Sequence, residues 1–120
     1  MDEELFIKVF EIVGARLCVA SDDGERVHAQ IAAALKEGKK VRISFENIDS
    51  LTSAFLNSAI GRLYGEFLED KIRAGLSVCD IENDDLDLLK RVIDTAKEYF
   101  KDPERVKNAR KEVLGEPDAK

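Results

Sequence analysis

The chain has 120 residues, of which 44% are hydrophobic and 37% charged, with only two prolines. This composition argues against disorder, and the length fits one domain with a sizeable core. The formal net charge of −6 disfavours binding to DNA or RNA, which depends on cationic side chains that neutralise phosphates. No apolar run approaches the roughly 18 residues needed to cross a bilayer, and the acidic N-terminus is unlike a signal peptide. We therefore expect a cytoplasmic protein that binds neither nucleic acid nor membrane.

The first half of the chain predicts three strands around one helix. Residues 5–13 (LFIKVFEIV) form a run of apolar and β-branched residues typical of a buried strand. After a turn at Gly14, residues 17–19 are a second short apolar run that we expect to pair with the first strand as a hairpin. Apolar residues then recur at helical spacing between Ser21 and Gly38. Residues 41–45 alternate between apolar and polar, which predicts the next strand.

The strongest predicted helix lies in the second half of the chain. Its apolar stripe runs from Phe55 to Leu68, and Gly75 closes it. Gly61 and Gly65 lie four residues apart on one face, where they allow a neighbouring backbone to approach closely. Each glycine costs about 1 kcal/mol in helix propensity, so we expect close packing there to compensate.

The remaining elements complete the predicted fold. A buried strand over residues 76–81 precedes an amphipathic helix that starts near Asn83 or Asp84, and Pro103 begins a short final helix that reaches about residue 114. The order β-β-α-β-α-β-α-α predicts an α/β fold in which a small mixed β-sheet is packed with helices. We expect a single domain over residues 1–114 and a frayed tail over residues 115–120.

Few residues are suited to catalysis. His28 is the only histidine, and neither a nucleophile elbow nor a glycine-rich phosphate-binding motif occurs. Cys18 and Cys79 are far apart and belong to no CxxC pair, so they predict neither a zinc site nor a disulfide framework. We therefore predict a protein that is not an enzyme, with no cofactor and no metal.

Carboxylates that follow the predicted strands support one alternative. Crevices at the carboxyl ends of strands often bind ligands in α/β sheets, and carboxylates there would hold Mg²⁺ for an enzyme that handles phosphate. Helix capping and solvation are the more common roles of acidic residues that precede a helix. The residues concerned are Glu46, Asp49, Asp80, Glu82, Asp84, Asp85 and Asp87.

Residues 41–64 combine a strand, a short loop and a helix that begins with hydroxyl residues. This segment resembles the core of the STAS fold of anti-sigma factor antagonists, in which the loop reads hydrophobic-Asp-Ser-Ser-Gly-Leu. Residues 48–64, 76–81 and 88–93 more closely resemble the STAS-like family of unknown function described as DUF4325. The resemblance extends over residues 5 to about 100 and implies a STAS-like domain.

The loop departs from the STAS pattern at the residue that matters for regulation. Thr52 stands where the antagonists have aspartate, Ser53 at the first serine, and Ala54 at the serine that is usually phosphorylated. In that family, phosphate at this position switches binding to a kinase with a GHKL-type ATPase fold. Ser53 or Thr52 would replace the missing acceptor only if the kinase tolerates a shift of one or two residues. The alternative role of both hydroxyls is N-capping.

The resemblance implies a non-catalytic, regulatory protein-interaction domain of a prokaryotic signalling system, with a GHKL-type ATPase or kinase, or a second copy in a homodimer, as partner. A small-ligand domain for a nucleotide or phosphorylated metabolite is the alternative. Phe55 replaces the glycine of the STAS pattern and is either a core plug or an anchor for the partner. The predicted partner-binding residues are Asp49, Thr52, Ser53, Phe55, Asn57, Ser58 and Arg62.

Overall fold

The computed structural model describes residues 4–101, so the predicted final helix and the tail lie outside the described residues. Within this range the chain contains five strands, five α-helices and one short 3-10 helix. The strands are β1 (Glu4–Lys8), β2 (Leu17–Cys18), β3 (Lys40–Ser44), β4 (Ser50–Leu51) and β5 (Leu76–Cys79). The helices are α1 (Val9–Val13), α2 (Ser21–Lys36), α3 (Ser53–Ala59), the 3-10 helix (Gly61–Gly65), α4 (Glu69–Gly75) and α5 (Asn83–Lys101).

The strands form two small parallel sheets. The first has the order β1-β3-β5, with Ile43 of the central strand aligned between Ile7 and Val78. The second consists of β2 and β4. The predicted α/β fold with helices packed on a small sheet is confirmed. The expected mixed sheet is corrected, since the described strands form two sheets and all of their pairings are parallel.

The helices cover one face of the three-stranded sheet. Ile7, Val41 and Ile43 on that face are buried, whereas Phe6 and Arg42 on the opposite face are exposed. The predicted helices between Ser21 and Gly38 and from Asn83 are confirmed as α2 and α5, since both have an uninterrupted apolar stripe. The largest fully buried side chains are Phe55, Ile31, Leu35, Ile43, Leu56, Ile60, Leu63 and Ile72.

The predicted strand over residues 5–13 is wrong in its second half, because the chain enters α1 directly after β1. Val9 is fully buried in this short helix. Gly14 ends it in the left-handed conformation, with φ +78°, and donates its N–H to the Phe10 carbonyl at 2.8 Å. A short apolar run fits a buried strand and a buried helix equally well, so periodicity does not distinguish the two.

The predicted hairpin between the first two strands is also wrong. The helix α1 is inserted between them, and β2 pairs in parallel with β4, where Leu17 aligns with Ser50 and Cys18 with Leu51. Parallel pairing needs a long connection between the strands, which α2 and β3 provide here. The first half of the chain is thereby joined to the loop that follows β3.

The single helix predicted from Phe55 to Gly75 is divided into α3, the 3-10 helix and α4. Gly61 and Gly65 lie in the 3-10 segment, where their weak helix propensity favours a break. A Cβ atom on Gly65 would lie 2.5 Å from the Phe100 ring, and one on Gly61 would lie 3.5 Å from Val92. The close neighbour at Gly65 is therefore a side chain of α5, and the expected close approach of a neighbouring backbone is not found at either glycine.

Candidate functional site

The loop between β3 and α3 is held against β2 by main-chain and side-chain hydrogen bonds. The Asp49 N–H donates to the Arg16 carbonyl at 2.8 Å, and Arg16 Nε donates to the Asp49 carboxylate at 3.0 Å. The Thr52 N–H donates to the Cys18 carbonyl at 3.2 Å. The loop therefore has a defined shape that depends on a segment more than thirty residues earlier in the chain.

Thr52 is the N-cap of α3. Its Oγ1 accepts the Phe55 N–H at 3.2 Å and donates to the Val19 carbonyl at 3.1 Å. This confirms the N-capping role of Thr52. Ser53, by contrast, is exposed at the first position of the helix.

Replacing Thr52 with alanine should lower the free energy of unfolding by about 1 kcal/mol, the usual cost of losing an N-cap hydroxyl. Thr52→Ser keeps the accepting oxygen and should retain most of that stability. Ser53→Ala is the matched control, since an exposed substitution changes stability by less than about 0.5 kcal/mol. Urea unfolding measures all three variants, and a Thr52→Ala protein as stable as the wild type would contradict the prediction.

Two apolar side chains face outward beside this loop, one in β2 and one directly after it. Leu17 is 56% exposed and Val19 48%, while Cys18 between them is fully buried. Burial raises the pKa of the Cys18 thiol to about 11, so it is protonated at neutral pH. These three residues were expected in a hairpin, although the alternation around Cys18 already indicates that Leu17 and Val19 share one side.

An open groove of about 520 Å³ lies between α3 and α5. Ser53, Ala54 and Asn57 line it from α3. We define the loop–α3 surface as Leu17, Val19, Thr52 and the residues of this groove. The helix α5 contributes to the groove Leu88, Arg91, Val92 and Thr95. No sequence motif indicated these four residues as part of a site.

The structure separates some of the predicted partner-binding residues from this surface. Asp49, Thr52, Ser53 and Asn57 lie on it or next to it. The other three, Phe55, Ser58 and Arg62, lie elsewhere.

Phe55 is fully buried, so it is the core plug of the two alternatives and the anchor interpretation is wrong. Ser58 is buried where α3 meets Gly24 of α2. Arg62 is exposed but lines another groove with Lys36 and Glu66. A short helix turns successive residues through 100°, so neighbours in the sequence need not share a surface.

His28 is a packing residue. It is 7% exposed, and its Nε2 lies 3.0 Å from Glu66 Oε1. Neither cysteine is a hydrogen-bond partner of the ring. The arrangement holds α2 against the end of the 3-10 helix.

The carboxyl ends of β3 and β5 are joined through Ser44, which is fully buried. Its hydroxyl donates to the Asp80 carboxylate at 2.6 Å and accepts the Glu46 N–H at 3.2 Å. Hydrogen bonds from Ser44 and then from the Cys79 thiol hold the pKa of Asp80 below its ordinary value. Asp80 has a left-handed backbone, with φ +56°.

Three of the acidic residues at these strand ends have partners within the chain. Asp80 accepts from Ser44, Glu46 lies 3.7 Å from the Lys8 ammonium, and Asp49 is paired with Arg16. Within residues 4–101 no three histidine, cysteine or acidic side chains are grouped so as to hold a metal ion.

The Ser44–Asp80 hydrogen bond should make stability pH-dependent in a defined direction. Because the pKa of Asp80 is lower in the folded state than in the unfolded state, its charged form stabilises the fold. This stabilisation is fully present at pH values above the unfolded pKa, near 3.8, and is lost as the pH falls through the folded pKa. The stability difference between wild type and Ser44→Ala should therefore narrow below about pH 4. Asparagine tolerates the left-handed backbone of residue 80, so Asp80→Asn should fold. In that background the loss of stability caused by Ser44→Ala should not vary with pH. Urea unfolding from pH 2 to 7 tests both statements, and a constant difference in the wild-type background would refute the first.

Comparison with known families adds a match over the centre of the chain. Residues 23–86, more than half of the chain, match the model of a STAS-like domain of unknown function (DUF4325). The chain belongs to this family. The matched part of this STAS-like domain extends from α2 into α5 and includes Thr52, Ser53 and Asn57, whereas Leu17 and Val19 precede it.

No curated protein and no solved structure was found to match the STAS-like domain. None of the helices within residues 4–101 is both long and apolar enough to cross a membrane.

Proposed function

We propose that this STAS-like domain is a non-catalytic regulatory module whose partner protein binds the loop–α3 surface. The observation that carries the proposal is the outward-facing pair Leu17 and Val19, each about half exposed, beside the capped N-terminus of α3. Apolar residues surrounded by polar groups are typical of the centre and rim of protein interfaces. Asp49, Ser53 and Asn57 provide such polar groups here.

The rigidity of the loop also supports this proposal. Its main chain is bonded to Arg16 and Cys18, and its Thr52 hydroxyl is bonded to Val19 and Phe55. A partner that binds a preformed surface does not pay the entropic cost of ordering it. Apolar contacts of modest area are then sufficient for specific binding.

We propose a GHKL-type ATPase or kinase as the partner class, on the basis of the resemblance to anti-sigma factor antagonists. Of the two hydroxyls considered for phosphorylation, that of Ser53 is exposed in the groove, whereas that of Thr52 makes two hydrogen bonds. Phosphate on Ser53 would add nearly two negative charges to a groove that Arg91 lines. Ser53 is therefore the better candidate for regulation.

Site-specific photo-crosslinking in the source cell tests the proposal. A photoreactive amino acid at Val19 or at Asn57 should trap the same protein, which mass spectrometry then identifies. Ser77 is exposed on the open face of the sheet, the face that the helices do not cover. It is the matched control position and should not trap the protein. The proposal fails if neither site traps a protein, or if Ser77 traps the same one equally well.

Binding of the purified partner then measures the contribution of the surface. Leu17→Asp and Asn57→Arg should each weaken binding about tenfold or more, as expected for residues at an interface centre. Ser77→Arg should bind like the wild type. Native mass spectrometry tests the small-ligand alternative, and a nucleotide or phosphorylated metabolite retained by the purified chain would favour that alternative.

A further inference from the structure

The strand β1 lies at one edge of the three-stranded sheet, and in residues 4–101 its only partner strand is β3. A groove of about 640 Å³ lies on its other side, with Ala29 and Gln30 of α2 in its wall. Phe6, Ile7 and Lys8 all line this groove. Because consecutive strand residues point to opposite faces, a groove that all three line runs along the edge of the strand.

Two of the common protections against pairing with another strand, proline and inward-pointing charges, are missing from β1. Natural edge strands are commonly blocked by proline, bulges or inward-pointing charges. Here β1 contains no proline, Phe6 is 50% exposed and Leu5 38%. The backbone groups along the edge and these apolar side chains together form a template for an added strand.

The sequence of β1, Glu-Leu-Phe-Ile-Lys, is complementary to itself in the antiparallel direction. If two copies are centred on Phe6, Glu4 lies opposite Lys8 of the partner subunit, and Leu5 lies opposite Ile7 of the partner subunit. Directly opposite residues of opposite charge stabilise an antiparallel pair. The arrangement is symmetric, so the ion pair occurs twice.

We propose that β1 pairs antiparallel with β1 of a second copy of this chain, which joins the two sheets into one of six strands. A two-fold axis perpendicular to the sheet keeps the helices of both copies on the same face. Glu4, Phe6 and Lys8 then share the open face, and Leu5 and Ile7 extend the helix-covered face.

The register is specified by the same residues. The pairing centred on Phe6 uses all five residues of both strands, and it is the register that places Glu4 opposite Lys8. A shift by one residue removes both ion pairs. Within each chain Glu4 lies 3.6 Å from Arg42 and Lys8 lies 3.7 Å from Glu46, in exposed pairs that leave the charges accessible. An unrelated peptide strand would have no such match, which favours a second copy as the occupant.

Charge exchange on the full chain tests this pairing. Sedimentation equilibrium should show a concentration-dependent dimer, and Glu4→Lys or Lys8→Glu should each weaken it about tenfold, because like charges then lie opposite each other at two places. The double variant Glu4→Lys/Lys8→Glu should restore the wild-type dissociation constant. Thermal unfolding checks that each variant is folded. A wild type that is monomeric at every concentration, or a double variant no better than the single ones, would overturn the proposal.

Disulfide trapping provides a second measurement that does not depend on the ion pairs. Phe6→Cys in a Cys79→Ser background places the two new thiols opposite each other at the dimer axis, and mild oxidation should yield a covalent dimer. Ser77→Cys in the same background, on the open face of β5, is the matched control and should remain monomeric. Equal crosslinking of both variants would refute the β1 interface. This proposal shares no residue with the loop–α3 surface, so either can fail without the other.

Discussion

Replacing Phe55 with alanine should destabilise the protein by about 3–5 kcal/mol. The side chain is fully buried, and the helix to which it belongs, α3, packs against α2. Its removal loses the transfer free energy of an aromatic ring and leaves a cavity that a close-packed core fills only in part. For a domain whose total stability is of the order of 5–15 kcal/mol, this is a large fraction.

Urea unfolding followed by circular dichroism measures this effect. Asn57→Ala is the matched control, because Asn57 lies two residues further along the same helix and is exposed. It should change the free energy of unfolding by less than about 0.5 kcal/mol. A Phe55→Ala protein as stable as Asn57→Ala would show that the ring is not a core residue. The large expected loss also means that Phe55→Ala cannot be used to map partner binding.

Replacing Gly24 with alanine should destabilise the protein by about 1–3 kcal/mol, even though alanine is the better helix former. A Cβ atom on Gly24 would lie 2.6 Å from the Phe55 carbonyl oxygen and 2.6 Å from Ser58 Cβ. The first of these atoms belongs to the backbone of α3 and cannot turn away. The two helices must separate, and the packing lost between them outweighs the gain of about 1 kcal/mol in propensity.

Gly61→Ala is the matched control for this prediction. A Cβ atom there would lie 2.5 Å from Asn57 Oδ1, which is the end of a flexible side chain at the surface. Rotation of the amide relieves the contact, so Gly61→Ala should lower the free energy of unfolding by less than about 1 kcal/mol. Thermal and urea unfolding of both variants test the difference, and a Gly24→Ala protein more stable than the wild type would refute the close contact of α2 with α3.

Local patterns were sufficient for the elements that have a clear period. The helical spacing in α2 and α5, the alternation in β3 and the hydroxyl at the start of α3 all predicted the observed structure. In these segments side-chain period, capping and turn residues favour the same conformation. The N-cap role of Thr52 belongs to the same group, because a cap is formed by residues three apart in the chain.

The candidate site was predictable only in part. Ser53 and Asn57 follow from their places on one short helix, but nothing in the sequence places Leu17 and Val19 beside Thr52. That contact depends on the parallel pairing of β2 with β4. Sheet pairing between distant segments is decided by the whole chain, not by local propensity.

By itself, the sequence determined the α/β class, the absence of the recognised catalytic motifs, and the type of β3, β5, α2 and α5. The tertiary structure decided where the run 5–13 changes from strand to helix, which partner β2 takes and where the predicted long helix breaks. In each of these cases the local free energies of the alternatives are similar, within about 1 kcal/mol per residue. Packing against α5 at Gly65 and burial of Val9 and Phe55 contribute more than that, so contacts between distant residues select the final conformation.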